Sequence, residues 1–97
     1  MSWWWPFGGR SREVITKAQR IEKAQGFMVE VEKCVRLGDF RGGVYFAEAV
    51  KTELEEAGEQ DLLKKVKRLI DYLTKSKVEG QLYDEIVREL KEKLRSL

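Results

Sequence analysis

Hydrophobic residues recur along the chain with the period of an α-helix, and their spacing predicts four helices. Within each segment they lie three, four or seven residues apart, which places them on one helix face. The predicted spans are about 11–37, 40–57, 60–75 and 81–95. No segment alternates with a period of two between turn residues, as a half-buried strand would. The pattern therefore predicts an all-α fold, with four antiparallel helices in a small bundle.

Glycine and capping residues predict where these helices begin and end. Ser11 is a good N-cap for the first helix. Gly38 is suited to end that helix in a left-handed conformation, and Asp39 is suited to cap the second one. Gly58 ends the second helix in the same way. Such short links predict that each helix turns back against the one before it.

Three other glycines fall inside predicted helices. Gly26 lowers the helix propensity of the first helix by about 1 kcal/mol relative to alanine, which indicates a kink or a close helix crossing. Gly42 and Gly43 lie in the first turns of the second helix and indicate a close approach of its backbone to a neighbouring helix.

The first ten residues differ from the rest of the chain. Residues 1–10 include the sequence WWWPF, lack helical periodicity and are interpreted as an aromatic N-terminal arm. Residues 11–97 are expected to form a single helical domain, since about 100 residues suffice for one hydrophobic core.

Composition suggests a soluble cytoplasmic protein. Of the 97 residues 37% are charged, with Lys+Arg 19 and Asp+Glu 17, so that the net charge is only +2. A high content of lysine and glutamate is also found in thermophilic proteins. Cys34 is the single cysteine and has no partner for an internal disulfide. No apolar run approaches the roughly 20 residues of a membrane-spanning helix.

The side chains present argue against catalysis. The chain has no histidine, which excludes a Ser-His-Asp triad, a Cys-His pair and a histidine-bearing metal site. We expect Cys34 to be a buried structural thiol, and Glu53, Glu55 and Glu56 to be a solvated acidic patch. The sequence therefore predicts a protein that is not an enzyme, with no metal, no cofactor and no small-molecule substrate.

A basic cluster lies on the third predicted helix. Lys64, Lys67 and Arg68 share one outer face, which would suit contacts with phosphates or other anions. No aromatic residues are interleaved for stacking on bases, and acidic residues such as Asp71 dilute the charge. We therefore expect a solvated helix face, with anion contact as the alternative.

Residues 36–58, beginning RLGDFRGGVYFAEAV, resemble two kinds of helical hairpin. The GDF step between two helices resembles the helix–turn–helix of tetratricopeptide repeats, and the same stretch is similar to HEPN domains. Many HEPN proteins are ribonucleases that use an Arg-x4-His motif, which a chain without histidine lacks. A HEPN relationship would therefore imply a non-catalytic member.

Aromatic residues are the main candidates for binding a partner. The arm supplies Trp3, Trp4, Trp5 and Phe7, which would pack on this domain, insert into another protein chain or lie at a membrane interface. A second candidate surface surrounds Phe40, Tyr45 and Phe46. Tyr45 and Phe46 are adjacent, so both cannot face the same core, and one of them should be partly exposed.

These observations predict a non-enzymatic protein–protein interaction or assembly module, which associates with itself or forms a small subunit of a larger complex. Two alternatives remain at this point. One is a peripheral membrane adaptor anchored by the tryptophan-rich arm. The other is a nucleic-acid-binding protein that uses the basic third helix.

Overall fold

The computed structural model describes residues 16–77 and 80–96, and these form four α-helices. The helices are α1 (Lys17–Arg36), α2 (Phe40–Ala57), α3 (Gln60–Thr74) and α4 (Gly80–Ser96). The bounds of α2, α3 and α4 agree with the predicted spans to within one residue, and the predicted all-α bundle is confirmed. The aromatic arm, residues 1–10, lies outside the described residues.

Helix α1 begins later than predicted because Thr16, rather than Ser11, is its N-cap. The Thr16 hydroxyl accepts a hydrogen bond from the backbone N–H of Gln19 at 3.1 Å. The Gln19 side chain in turn accepts one from the backbone N–H of Thr16 at 2.9 Å. This reciprocal pair is a capping box, which satisfies two backbone donors that the helix leaves free. Residues 11–15 lie outside the described residues.

The two links on either side of α2 use the glycines that the sequence singles out. Gly38 and Gly58 have φ of 79° and 75°, in the left-handed region that favours glycine. The Asp39 side chain accepts a hydrogen bond from the backbone N–H of Gly42 at 2.9 Å and so caps α2. Because the links are this short, α1, α2 and α3 must run antiparallel.

The helices pack in a closed ring. The backbone of α1 lies close to those of α2 and α4, and the backbone of α3 lies close to the same two; among the described residues the backbones of the diagonal pairs stay farther apart. Each helix turns its hydrophobic face to the centre, where the buried residues are Ile21, Ala24, Met28, Val31, Ala47, Val50, Leu54, Leu62, Leu63, Val66, Leu69, Leu73, Leu82, Ile86 and Leu90. The return of α4 to α1 distinguishes this bundle from an array of tetratricopeptide repeats, in which each repeat contacts only its neighbours in sequence.

The glycines inside the helices have different surroundings. A Cβ on Gly42 would lie 2.4 Å from Asp39 Oδ2 and 3.0 Å from the sulfur of Cys34, so a side chain here collides with the cap of α2. A Cβ on Gly43 would make ordinary contacts of 3.5 Å with Val35 and Leu73. At Gly43 the backbone of α2 therefore lies close to side chains of the two neighbouring helices.

The surroundings of Gly26 agree less well with its prediction, which was a kink or a close helix crossing. Helix α1 continues through it from Lys17 to Arg36, and no described atom lies within 4 Å of the position that its Cβ would occupy. No close helix crossing accounts for this glycine within the described part of the chain. It lies on the exposed side of α1, towards α4.

One buried carboxylate connects three helices at one end of the bundle. Glu59 lies in the link between α2 and α3, and only 7% of its surface is exposed. Its carboxylate lies 2.7 Å from Nζ of Lys17 at the start of α1 and 3.2 Å from Nζ of Lys93 near the end of α4. Burial alone raises the pKa of Glu59, but the hydrogen bonds and positive charges of the two lysines outweigh it and place the pKa below its ordinary value.

The adjacent glycines of α2 should respond differently to alanine. Gly43→Ala removes a helical glycine without a collision, so it should stabilise the fold by up to about 1 kcal/mol. Gly42→Ala must displace the Asp39 side chain and lose a cap that contributes about 1 kcal/mol, which cancels or reverses the same gain. Urea unfolding of both variants should place Gly43→Ala above Gly42→Ala in stability. Equal stabilities would contradict the collision at Gly42.

Glu59→Gln should destabilise the fold at neutral pH by about 1–3 kcal/mol, because it removes a charge that two lysines contact in a buried position. Since the folded pKa of Glu59 lies below its ordinary value of 4.5, its contribution is complete above pH 4.5 and is lost as the pH falls through the folded pKa. Urea unfolding of wild type and variant should therefore converge in acid. The control Glu55→Gln changes an exposed carboxylate at the end of α2. In this variant the free energy of unfolding should still fall in acid as it does in the wild type.

Candidate protein-interaction surfaces

Three aromatic rings form a continuous strip across the seam between α1 and α2. The ring centres of Phe27 in α1 and Phe46 in α2 are 6.2 Å apart. Tyr45 meets Phe46 edge to face, with centres 5.2 Å apart and an angle of 84° between the ring planes. We call Phe27, Phe46 and Tyr45 the aromatic strip. The edge-to-face contact of Tyr45 with Phe46 is a geometry that aromatic pairs prefer.

The strip ends in solvent. Tyr45 is 70% exposed, whereas Phe46 and Phe27 are half-buried beside the core. This confirms the prediction that one of the two adjacent aromatic residues of α2 is exposed. Phe27 is not among the candidates that the sequence indicated; the structure adds it to the candidate surface because it lies opposite Phe46.

Phe40 does not belong to this surface. It lies on the opposite flank of α2, where it lines an open groove of about 420 Å³ together with Val44, Leu73 and Thr74. The predicted surface around Phe40, Tyr45 and Phe46 is thus divided between the two flanks of one helix. Position in sequence could not separate them, because α2 has a neighbouring helix on each side. The arm residues Trp3, Trp4, Trp5 and Phe7 lie outside the described residues.

The other flank of α1 borders a larger opening, which we call the α1–α4 groove. It has a volume of about 660 Å³ and is lined by Gly26, Met28, Val29, Tyr83, Val87 and Leu90. Its rim carries Glu22, Gln25, Glu32 and Lys91. Val29 is 48% exposed, which is unusual for a large aliphatic residue in the middle of a helix. Its place one residue after Met28, away from the main hydrophobic face, was the signal in the sequence.

Tyr83 fixes one end of the groove. Its hydroxyl donates a hydrogen bond to the backbone carbonyl of Met28 at 3.2 Å and so ties α4 to α1. Burial and then the negative charge of Glu32 raise the pKa of Tyr83 to about 12. Beyond Tyr83 a smaller cavity of about 210 Å³ extends towards the core residues Leu69 and Leu73.

The predicted basic cluster lies on the outer face of α3. Lys64, Lys67 and Arg68 are all exposed and lie three and four residues apart, as the sequence indicated. Asp71 is exposed four residues after Lys67 and lies 3.2 Å from Lys75. The face therefore carries both signs of charge, and contact with phosphate stays a prediction.

The residues considered for chemistry have structural surroundings. Cys34 is half-buried and not fully buried as expected, and its sulfur lies beside the start of α2. Burial, Asp39 and Glu30 each raise the pKa of its thiol, which opposes formation of a reactive thiolate. Glu53, predicted to be solvated, instead lies 3.0 Å from Arg20 of α1 and is largely covered. Within residues 16–77 and 80–96, no group of three or more acidic or cysteine side chains is placed to hold a metal ion.

Comparison of the chain with protein-family models, with curated proteins and with solved structures found no match. The resemblance of residues 36–58 to tetratricopeptide and HEPN hairpins therefore rests on the sequence alone. None of the described helices combines the length and the apolar character needed to cross a membrane.

Tyr83 should lose its phenolic proton late in an alkaline titration. Its pKa of about 12, against an ordinary value of 10.0, predicts one late phenolate step in an ultraviolet absorbance titration. Tyr83→Phe should remove this step, whereas Tyr45→Phe, at an exposed position, should leave it in place. Because the folded pKa is raised, the contribution of Tyr83 to stability is complete below pH 10 and is lost as the pH rises through about 12. A late step that survives in Tyr83→Phe would refute the assignment.

Proposed function

We propose that the chain is a non-enzymatic protein-interaction module that associates with a second copy of itself through the aromatic strip. The observation that carries this proposal is the exposed ring of Tyr45, which is held edge to face on Phe46. The absence of histidine from the sequence supports a role without catalysis.

The strip has the features of a binding hot spot. Tyrosine is enriched at such positions because it offers a large contact area with few rotatable bonds. Contact with Phe46 limits the positions that the Tyr45 ring can take before any partner binds. Less conformational entropy is therefore lost on association, which favours affinity.

The charges beside the strip suit a contact between identical surfaces. Along α1 and α2, Arg20 pairs with Glu53, Lys33 pairs with Glu30, and Lys51 pairs with Glu48. A symmetric dimer brings the same patch of each copy together, so an uncompensated charge would repel its own counterpart. In each of these pairs a positive and a negative group compensate each other. Two copies that meet through this surface would therefore not be repelled by like charges at these positions.

Sedimentation equilibrium of the full chain tests the proposal. Wild type should be a dimer, and Tyr45→Ala should weaken the dimer by at least about 2 kcal/mol, or about 30-fold in dissociation constant. The variant should keep its far-ultraviolet circular dichroism, because the Tyr45 side chain is mostly outside the core. Val29→Ala is the matched control, since it truncates an exposed hydrophobic residue on the other flank of α1.

Two results would overturn the proposal. One is a wild-type chain that stays monomeric throughout the concentration range. The other is a dimer that Val29→Ala weakens and Tyr45→Ala leaves intact, because association would then depend on the α1–α4 groove.

A further inference from the structure

We propose that the α1–α4 groove is occupied by the chain's own residues 3–7, Trp-Trp-Trp-Pro-Phe, docked in the same molecule. This inference concerns the flank of α1 opposite the aromatic strip and is independent of the proposed self-association. Three observations support it: the shape of the groove, an unexplained glycine at its outer edge, and the length of the preceding chain.

The groove has the size and lining of a site for aromatic side chains. Its volume of about 660 Å³ falls within the range of about 300–1,000 Å³ in which proteins bury small organic groups. Met28, Val87 and Leu90 give it apolar walls, and Val29 presents half of its surface to the opening. Tyr83 supplies a ring against which another ring can stack.

Gly26 lies at the outer edge of the groove, three residues before Val29. It lies within α1, has no positive φ, and meets no other described residue where a Cβ would be. Neither a turn nor helix packing therefore requires glycine at this position. A planar ring lying against the helix backbone would require it, because any side chain would hold the ring away.

The length of the chain places the aromatic residues within reach. The groove follows α1 from Glu22 to Glu32, which is about 9–24 Å from Thr16 at about 1.5 Å per residue. The nine residues from Phe7 to Thr16 span up to about 30 Å when extended. The segment is joined to the same helix that forms the groove. Its effective concentration there is about millimolar, so docking in the same molecule outcompetes a second copy in dilute solution.

Tryptophan fluorescence tests the docking directly, because all three tryptophans of the chain are Trp3, Trp4 and Trp5. In the full chain at low concentration, their emission should be blue-shifted and protected from acrylamide. Val29→Lys should shift the emission to the red and raise the quenching to that of the free peptide SWWWPFGGR. Leu37→Lys is the matched control, since it places the same charge at an exposed hydrophobic residue just after α1 and should change neither quantity.

A second variant guards against a folding defect. Gly26→Leu places a bulky side chain at the outer edge of the groove beside Val29 and improves helix propensity, so it should lower the protection while circular dichroism stays unchanged. Wild-type tryptophans that are quenched like the free peptide would overturn the proposal. Protection that grows with protein concentration, or that appears only with anionic phospholipid vesicles, would also overturn it, in favour of a second copy or a membrane. Sedimentation of the same variants measures their oligomeric state, which tests the self-association through the aromatic strip. One of the two proposals can therefore be refuted while the other stands.

Discussion

The left-handed turns at Gly38 and Gly58 are the constraint on which the rest of the structure depends. Each keeps the link between two helices so short that the chain must reverse, and α1, α2 and α3 then stand side by side in alternating directions. The second turn also fixes the position of Glu59, at the end of the bundle where α1 begins and α4 ends. One buried carboxylate there is compensated by Lys17 and Lys93 from two different helices. The turn thus determines both the topology and the main electrostatic contact.

The same topology gives α1 two different flanks. Residues seven apart on α1 face α2: Arg20 pairs with Glu53, Phe27 meets Phe46, and Cys34 lies beside Gly42. On its other flank α1 meets α4 less closely, and the space between them remains open as the groove. Both candidate surfaces therefore arise at seams between helices, where hydrophobic side chains next to the core are only half covered.

Hydrophobic spacing and turn chemistry were enough to predict the four helices, because both act over a few residues of sequence. The start of α1 was misplaced because Ser11 and Thr16 are both acceptable caps, and only the reciprocal contact with Gln19 selects the second. The division of Phe40 from Phe46 and the burial of Glu59 depend on which helix lies on which side. That is a tertiary property, and no local pattern contains it. Gly26 shows the same limit. The sequence was enough to predict that it lowers helix propensity, but not that its surroundings are open.

The two proposals together give a physical reason for how the chain limits nonspecific association. Four aromatic residues within five positions form an apolar surface that would bind many partners if it stayed in water. Docking them in the α1–α4 groove, as proposed, would remove that surface within one molecule and cover the exposed half of Val29. Tyr45 would then be the principal exposed aromatic ring of the described helices, and its orientation is restricted by Phe46. Association would therefore depend on one oriented ring and on the charges of both signs beside it. Both features favour a defined symmetric contact over nonspecific association.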